Sequence, residues 1–342
     1  MKKTVEKILA MVMAVGMTFS VPTTAMAMST DDTSDTQNQG STIDWLWWLP
    51  QEEPKTIVST SKPYLVKENN VIKSVHKITY SDGSEEVVDT KSNGLMELGS
   101  TMYYMKDGRV KTGYSGNLKA NRGTYKISKG KVTGVRFAVY KSSQMPNYPT
   151  GCEGSSMNSL LRWYGINTNL NECINAIPRE NVVTRNGKRY GPDIHEKFAG
   201  NPRHGYTSSS PGYGAFAPAV TKSLNKVIKN HGGGYTAKNI TGAKTGDLYK
   251  YLREGHPMIV WCTYNMKQPT GKNSWYFKNS KGQWQYFEYP RPTHVVVLRG
   301  YDANNVYIMD SYNGTYKTFS RSSFASKYKL LRYQAIKIDK NK

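Results

Sequence analysis

The sequence predicts an α+β protein, with a small β-rich region ahead of a larger domain in which helices and strands come in separate runs. Between Tyr64 and Val139 apolar and polar residues alternate over short stretches. Ser81-Asp82-Gly83 and Lys106-Asp107-Gly108 punctuate them as hairpin turns. After Tyr140 three segments show helical spacing, and from Met258 onward five short strand-like runs take over. At 342 residues the chain has the length for two domains, or for one large domain with a smaller companion.

At the N-terminus, Lys2, Lys3 and Lys7 lead into an apolar run from Ile8 to Val21 that ends near Ala25-Met26-Ala27, so residues 1–27 read as a cleaved export signal. The expected product is secreted or held at the cell surface. No later stretch reaches about 18 uninterrupted apolar residues, so the mature chain is expected to have no transmembrane span. Ser29 to Thr42 contains no apolar residue, and residues 28–61 read as a flexible linker in which Ile43 to Pro50, with Trp45, Trp47 and Trp48, tucks against the folded part.

Residues 62–136 form the β-rich region. Within it Tyr104 to Gly113 is similar to Tyr125 to Gly134, an imperfect pair that resembles the hairpin repeats of glucan-binding and choline-binding cell-wall modules without their tryptophans. The main domain is read as residues 137–342. Its first helix, Glu153 to Tyr164, puts Met157, Leu160, Leu161 and Tyr164 on one face and meets Gly165 as a stop. Ala217 to Asn230 tolerates Pro218 in a first turn, and Thr245 to Arg253 is the third helix. The strands follow at Met258 to Tyr264, His294 to Arg299, Val306 to Asp310, Tyr316 to Ser320 and Tyr333 to Ile338.

Without Lys2, Lys3, Lys7 and Glu6 the chain keeps 44 basic and 24 acidic residues, a net charge of +20. Outside a cell that charge is expected to meet an anionic envelope. No compact nucleic-acid-binding motif is present, so nucleic acid is not the expected partner. The three cysteines, Cys152, Cys173 and Cys262, include no CxxC pair, which excludes a zinc ribbon or a redox dithiol. Three is odd, so at least one thiol stays free or pairs with another molecule, and a free thiol in an exported protein is a candidate nucleophile.

Cys152 stands at the start of the first helix, where unpaired backbone N–H groups and the positive end of the helix dipole favour a thiolate. Far downstream, His294 to Arg299 runs into Gly300-Tyr301-Asp302-Ala303-Asn304 and returns as Asn305 to Asp310. If those five residues form the turn, His294 lies directly opposite Asp310. A carboxylate there would fix the imidazole tautomer and support the imidazolium.

On these residues the chain resembles the C39-like branch of papain-fold cysteine peptidases, over about residues 140–340. The resemblance is carried by Gln144 to Glu153, by the loop from Asn201-Pro202-Arg203 to Gly212-Tyr213-Gly214-Ala215, and by His294 to Asp302 leading to Met309-Asp310-Ser311-Tyr312. It implies a papain-like peptidase domain in which Cys152 is the nucleophile, His294 the base, Asp310 the orienting acid and Gln144 an amide donor to the oxyanion. Cys152 and His294 are 142 positions apart, inside the papain-like range of about 130–150. The implied substrate is a peptide or protein, and no cofactor is implied.

Two other readings stay open on the residues alone: a transglutaminase-like acyltransferase with the same Cys, His, Asp order, and a catalytically inactive cell-envelope binder. Better-known C39 peptidases process leader peptides at the front of ABC exporters. This chain has no P-loop, so that substrate is not carried over. His195 and His204 lack a spaced partner set and read as surface or cleft residues. Cys173 and Cys262 read as buried thiols or a disulfide, and Asp302 as turn chemistry.

Overall fold

Val295, Val296, Val297 and Leu298 are all fully buried. An uninterrupted apolar run of this kind belongs to a strand covered on both faces, and strand Thr293–Tyr301 lies between other strands in a 16-stranded sheet. The computed structural model describes residues 55–341. The stretch read as an export signal, the Trp45 to Trp48 cluster and the part read as linker up to residue 54 lie outside the described residues. Within the stretch read as linker, Ile57–Thr60 is already a strand, paired with Val71–Tyr80.

One path through the sheet runs from Ile57–Thr60 through Val71–Tyr80, Arg109–Val110, Thr101–Lys106, Lys131–Phe137, Thr293–Tyr301, Met258–Thr263 and Ala335–Lys340 to Tyr235–Asn239. Five α-helices are present among the described residues: α1 Cys152–Trp163, α2 Leu170–Ala176, α3 Ala217–Asn230, α4 Thr245–Arg253 and α5 Arg321–Leu330. The class is therefore mixed α+β. No helix among the described residues is long and apolar enough to cross a membrane.

The two repeat-like segments are neighbouring hairpins. Asp107-Gly108 turns one and Lys129-Gly130 the other, and both residues of each turn have positive φ, the combination that matches the twist of two-residue hairpins. The reading boundary between 136 and 137 falls within strand Lys131–Phe137, which pairs with Thr293–Tyr301. The two strands meet through glycines. A Cβ on Gly300 would lie 2.2 Å from the Val135 carbonyl oxygen, and one on Gly134 would lie 2.6 Å from that of Tyr301. Tyr125, Val135 and Phe137 thereby enter the same core as α1, with Phe137 edge-on to Trp163 at 5.6 Å between ring centroids.

Phe137→Ala is accordingly expected to destabilise the whole described unit by about 3–5 kcal/mol. Urea unfolding should show one displaced transition. A separate early transition confined to the β-rich region would contradict the shared core.

Helix α1 is more enclosed than one apolar face predicts. Besides Met157, Leu160 and Leu161, its Ser155, Ser156 and Ser159 are buried. Their hydroxyls donate to backbone carbonyls: Ser155 to Ser142 at 2.9 Å, Ser156 to Val295 at 3.1 Å and Ser159 to Tyr140 at 2.5 Å. Small hydroxyls allow the helix to approach closely while satisfying buried carbonyls. This fixes the helix start against the strand that carries His294.

The hairpin after His294 departs from the register read in the sequence. The Asp302 N–H donates to the Asn305 carbonyl, Tyr301 pairs with Val306 and Gly300 with Tyr307. Beyond the turn the pairing shifts, so that Leu298 faces Ile308 and Val296 faces Asp310. Direct opposition of His294 and Asp310 is therefore incorrect. Arg299 is the extra residue of a β-bulge, and the bulge restores the parity that the turn alone would have broken. Asp310 ends up diagonal to His294 on the same face.

Candidate active site

The segment before α1, the start of α1 and strand Thr293–Tyr301 bring Gln144, Cys152 and His294 to one cleft, and strand Asn305–Asp310 sets Asp310 against His294. A cavity of about 210 Å³ is lined by Gln144, Thr150, Cys152 and His294, and by tyrosines 206, 213, 264 and 312 among others. His294 Nε2 and Asp310 Oδ1 are 2.5 Å apart, and both side chains are almost completely buried. That bond leaves Nδ1 without a hydrogen-bond partner among the described residues. Tyr264 packs edge-on against the imidazole at 5.3 Å between centroids.

Asp310 is held from three sides. Its Oδ2 pairs with Lys317 Nζ at 2.5 Å, and its Oδ1 also accepts the Tyr312 N–H at 3.0 Å. Burial alone would raise this carboxyl. The hydrogen bond and charge of His294, followed by Lys317 and the Tyr312 N–H, outweigh it and hold the group well below the usual carboxylate range. Lys317 also donates to Asn265 Oδ1 at 2.9 Å, beside Tyr264. Its place was hidden in the sequence because it sits on the strand after Asp310, and only the pairing register brings it back to the carboxylate.

Gln144 is buried and its Nε2 donates to the Pro149 carbonyl at 2.6 Å, while Oε1 has no partner. An amide nitrogen carries two hydrogens, so one donor remains. The Gln144 backbone N–H donates to the Ser311 carbonyl at 2.8 Å, tying this segment to the end of the strand that presents Asp310.

Cys152 differs from its sequence reading in its ionisation. The helix start argues for a lowered thiol pKa, yet burial, and after it the charge of Glu153, push it well above the ordinary value, with the Val295 N–H a partial offset. The thiol donates to Glu153 Oε2 at 3.3 Å. Glu153 is 2% exposed and its Oε1 accepts the Ala215 N–H at 2.7 Å. The sequence gives little warning of this residue, because a glutamate in the first turn of a helix ordinarily faces solvent and complements the dipole.

Burial raises the Glu153 carboxyl to about 7, against the Ala215 hydrogen bond, which lowers it. The native state then binds more protons than the unfolded chain between about pH 4.5 and 7. Stability from this group is greatest below that window and falls as pH rises through it, by roughly 3 kcal/mol in all. Urea midpoints should be higher at pH 5 than at pH 7.5, and Glu153→Gln should remove most of the difference. A wild-type midpoint that rises across this range would contradict the assignment.

The remaining candidates lie elsewhere. Cys173 and Cys262 are free, buried thiols, so no disulfide joins them. Burial pushes Cys173 up to about 12 and Cys262 higher still. His195 pairs with Asp193 at 2.7 Å and packs against Phe216 and Phe287, and His204 Nδ1 lies 2.9 Å from the Ser210 carbonyl. Asp302 closes its turn by accepting the N–H groups of Asn304 and Asn305.

With this geometry in place, a family model and a solved structure point to one class. Residues 137–336 match the model of the Peptidase_C39-like family, and the chain belongs to that family. It is similar to the uncharacterised protein YvpB of Bacillus subtilis (strain 168), 24% identical over 212 residues that cover 62% of this chain and 78% of that one. It is also similar to a crystal structure of a candidate C39-like peptidase from Bacillus anthracis, at 25% identity and a TM-score of 0.50, covering 60% of this chain and 96% of that chain.

Proposed function

We propose that the protein is an exported cysteine peptidase with a papain-like catalytic domain. The observation that carries this reading is the buried His294–Asp310 pair, which opens on the same cleft as a cysteine at a helix start. In this mechanism the Cys152 thiol proton passes to His294 Nδ1 and the sulfur attacks the substrate carbonyl carbon. The oxyanion takes hydrogen bonds from the Cys152 N–H and the remaining Gln144 amide hydrogen. His294 then protonates the leaving amine, and water, deprotonated by His294, releases the acyl group from sulfur. Asp310 keeps the proton on Nε2 and supports the imidazolium formed in each half-reaction.

The cleft has aromatic walls, so an extended peptide would lie against Tyr206, Tyr213, Tyr264 and Tyr312. Incubating the protein with a peptide library, with and without a labelled amine, tests the reaction class. New N-termini are the expected products. Amine incorporation in place of cleavage would favour the acyltransferase, and neither product would favour an inactive binder.

The same reading places the mature protein at an anionic envelope through its positive charge. Between Gly108 and Cys152 there are nine basic residues and no acidic one. Lys119, Lys126, Lys131 and Arg136 are exposed on strands or turns of that stretch. Retention on purified cell wall is expected to fall as salt is raised, because exposed charges are screened beyond about 8 Å at physiological ionic strength. Salt-independent retention would contradict an electrostatic attachment.

A further inference from the structure

The catalytic cycle above makes no use of Glu153, although its carboxylate is in contact with the nucleophile. Its two oxygens have different partners: Oε2 accepts the Cys152 thiol at 3.3 Å, and Oε1 accepts the Ala215 N–H at 2.7 Å. The second contact is built for a carboxyl oxygen. Gly214 has φ +132, and a Cβ there would lie 2.8 Å from Oε1. The loop is anchored around it, with the Ala215 carbonyl accepting Trp261 Nε1 at 2.9 Å and the Tyr213 carbonyl accepting the Tyr289 hydroxyl at 3.0 Å. The carboxylate is thereby held, buried, against the sulfur.

Building on the proposed peptidase chemistry, we propose that Glu153 is a further catalytic residue: ionised, it holds the resting thiol as a hydrogen-bond acceptor, and protonated, it donates to the sulfur and releases the thiol proton to His294. The two states have the same heavy-atom contact and opposite hydrogen-bond direction. In the first, a negative carboxylate beside the sulfur opposes a second negative charge, and Cys152 and His294 are both neutral. In the second, a proton from solvent sits on Glu153, which removes the like charge beside the sulfur and lets its O–H stabilise the thiolate as it forms transiently during attack. The former thiol proton then resides on His294 Nδ1, so protons and charges balance.

The surroundings of Glu153 favour this exchange near neutral pH. The titratable groups facing it are Cys152 on its own helix, Tyr206 on the 200–216 loop and Tyr289 on strand Trp284–Arg291, and burial keeps both phenols neutral. Arg179 shares a crevice with Glu153, together with Ile174, Ile177, Phe198 and Pro202. No ion pair involves Glu153 among the described residues. With no cation bound to it, the buried carboxyl is raised to about 7, which places both protonation states within reach of small changes in ambient pH.

The signature is a thiol whose reactivity falls as pH rises, opposite to an ordinary cysteine. The rate of Cys152 alkylation by iodoacetamide, followed by mass mapping from pH 4.5 to 9.5, reads it directly. For the wild type the rate is expected to drop about tenfold between pH 6 and pH 8, then recover in the alkaline range as the thiol itself ionises. Glu153→Gln keeps an acceptor for the Ala215 N–H and offers an amide N–H to sulfur, so its pH 6 rate should persist through pH 8. A wild-type rate that climbs steadily with pH overturns the proposal even if the variant does not fold. Coincident profiles of the folded variant and wild type overturn it as well. Peptide cleavage alongside a steadily climbing rate would remove the role of Glu153 and leave the peptidase reading in place. The predicted dip without cleavage would do the reverse.

Discussion

Cys152→Ala is expected to lower peptide turnover by at least about 10³-fold while changing stability by no more than about 1 kcal/mol. The large kinetic effect follows from the covalent route. Without sulfur no acyl-enzyme forms, and His294 and Gln144 can only assist a direct attack by water. The small stability effect follows from the local contacts. The thiol is a weak donor, Ala fits the same helical position, and the buried serines that dock α1 on the neighbouring backbone are untouched. Turnover measured on the same preparations as thermal melting separates the two effects. Comparable losses of activity and folded fraction would mean that Cys152 is a packing residue.

His294→Ala is expected to reduce turnover by about 10²–10⁴-fold, the range for loss of a general base and acid, and Asp310→Ala by less. The order follows from the proposed roles: in that mechanism Nδ1 carries the proton, while Asp310 acts on the opposite nitrogen through its 2.5 Å contact with Nε2. Without Asp310 the imidazole can still carry the proton, in a less favourable tautomer. Asp310→Ala has a second cost. It removes the acceptor of the Tyr312 N–H and the counter-ion of Lys317, which is 27% exposed and can turn to water. Asp310→Asn keeps an acceptor for the Tyr312 N–H and serves as the better-folded comparison. If Asp310→Ala were slower than His294→Ala with both folded, the carboxylate would have a role beyond orienting the imidazole.

The sequence was informative where a physical rule acts locally. Pro218 in a first turn marks α3, and the apolar run after His294 marks a strand buried on both faces, so both elements lie where their residues place them. Long-range geometry was less legible. The bulge at Arg299 leaves no local pattern, and together with a turn tighter than five residues it changes the partner of Asp310 from His294 to Val296 while preserving the shared face. The hairpin Gly271–Lys278 and Trp284–Arg291 was missed because its Tyr, Lys and Gln positions are largely half-buried or exposed and give no clean alternation. Helix α5 was missed as well: apart from Phe324 and Tyr328, its serines and lysines present no apolar stripe.

In the site, Cys152, His294 and Asp310 stood out as candidates by residue type and order and Gln144 through the family resemblance, whereas Lys317 and Glu153 did not. Lys317 reaches Asp310 only through strand pairing, and Glu153 faces inward only because the 199–216 loop closes over it.

The central claim is that Cys152 is a nucleophile served by the His294–Asp310 pair. It is tested most directly by treating the native protein with a cysteine-directed epoxide and mapping the adduct by mass spectrometry. Cys152 lines the open cleft, whereas Cys173 and Cys262 are sealed in the core. The account predicts one adduct, on Cys152, formed much faster in wild type than in His294→Ala. Labelling that appears only after denaturation, equally on all three cysteines, would contradict it.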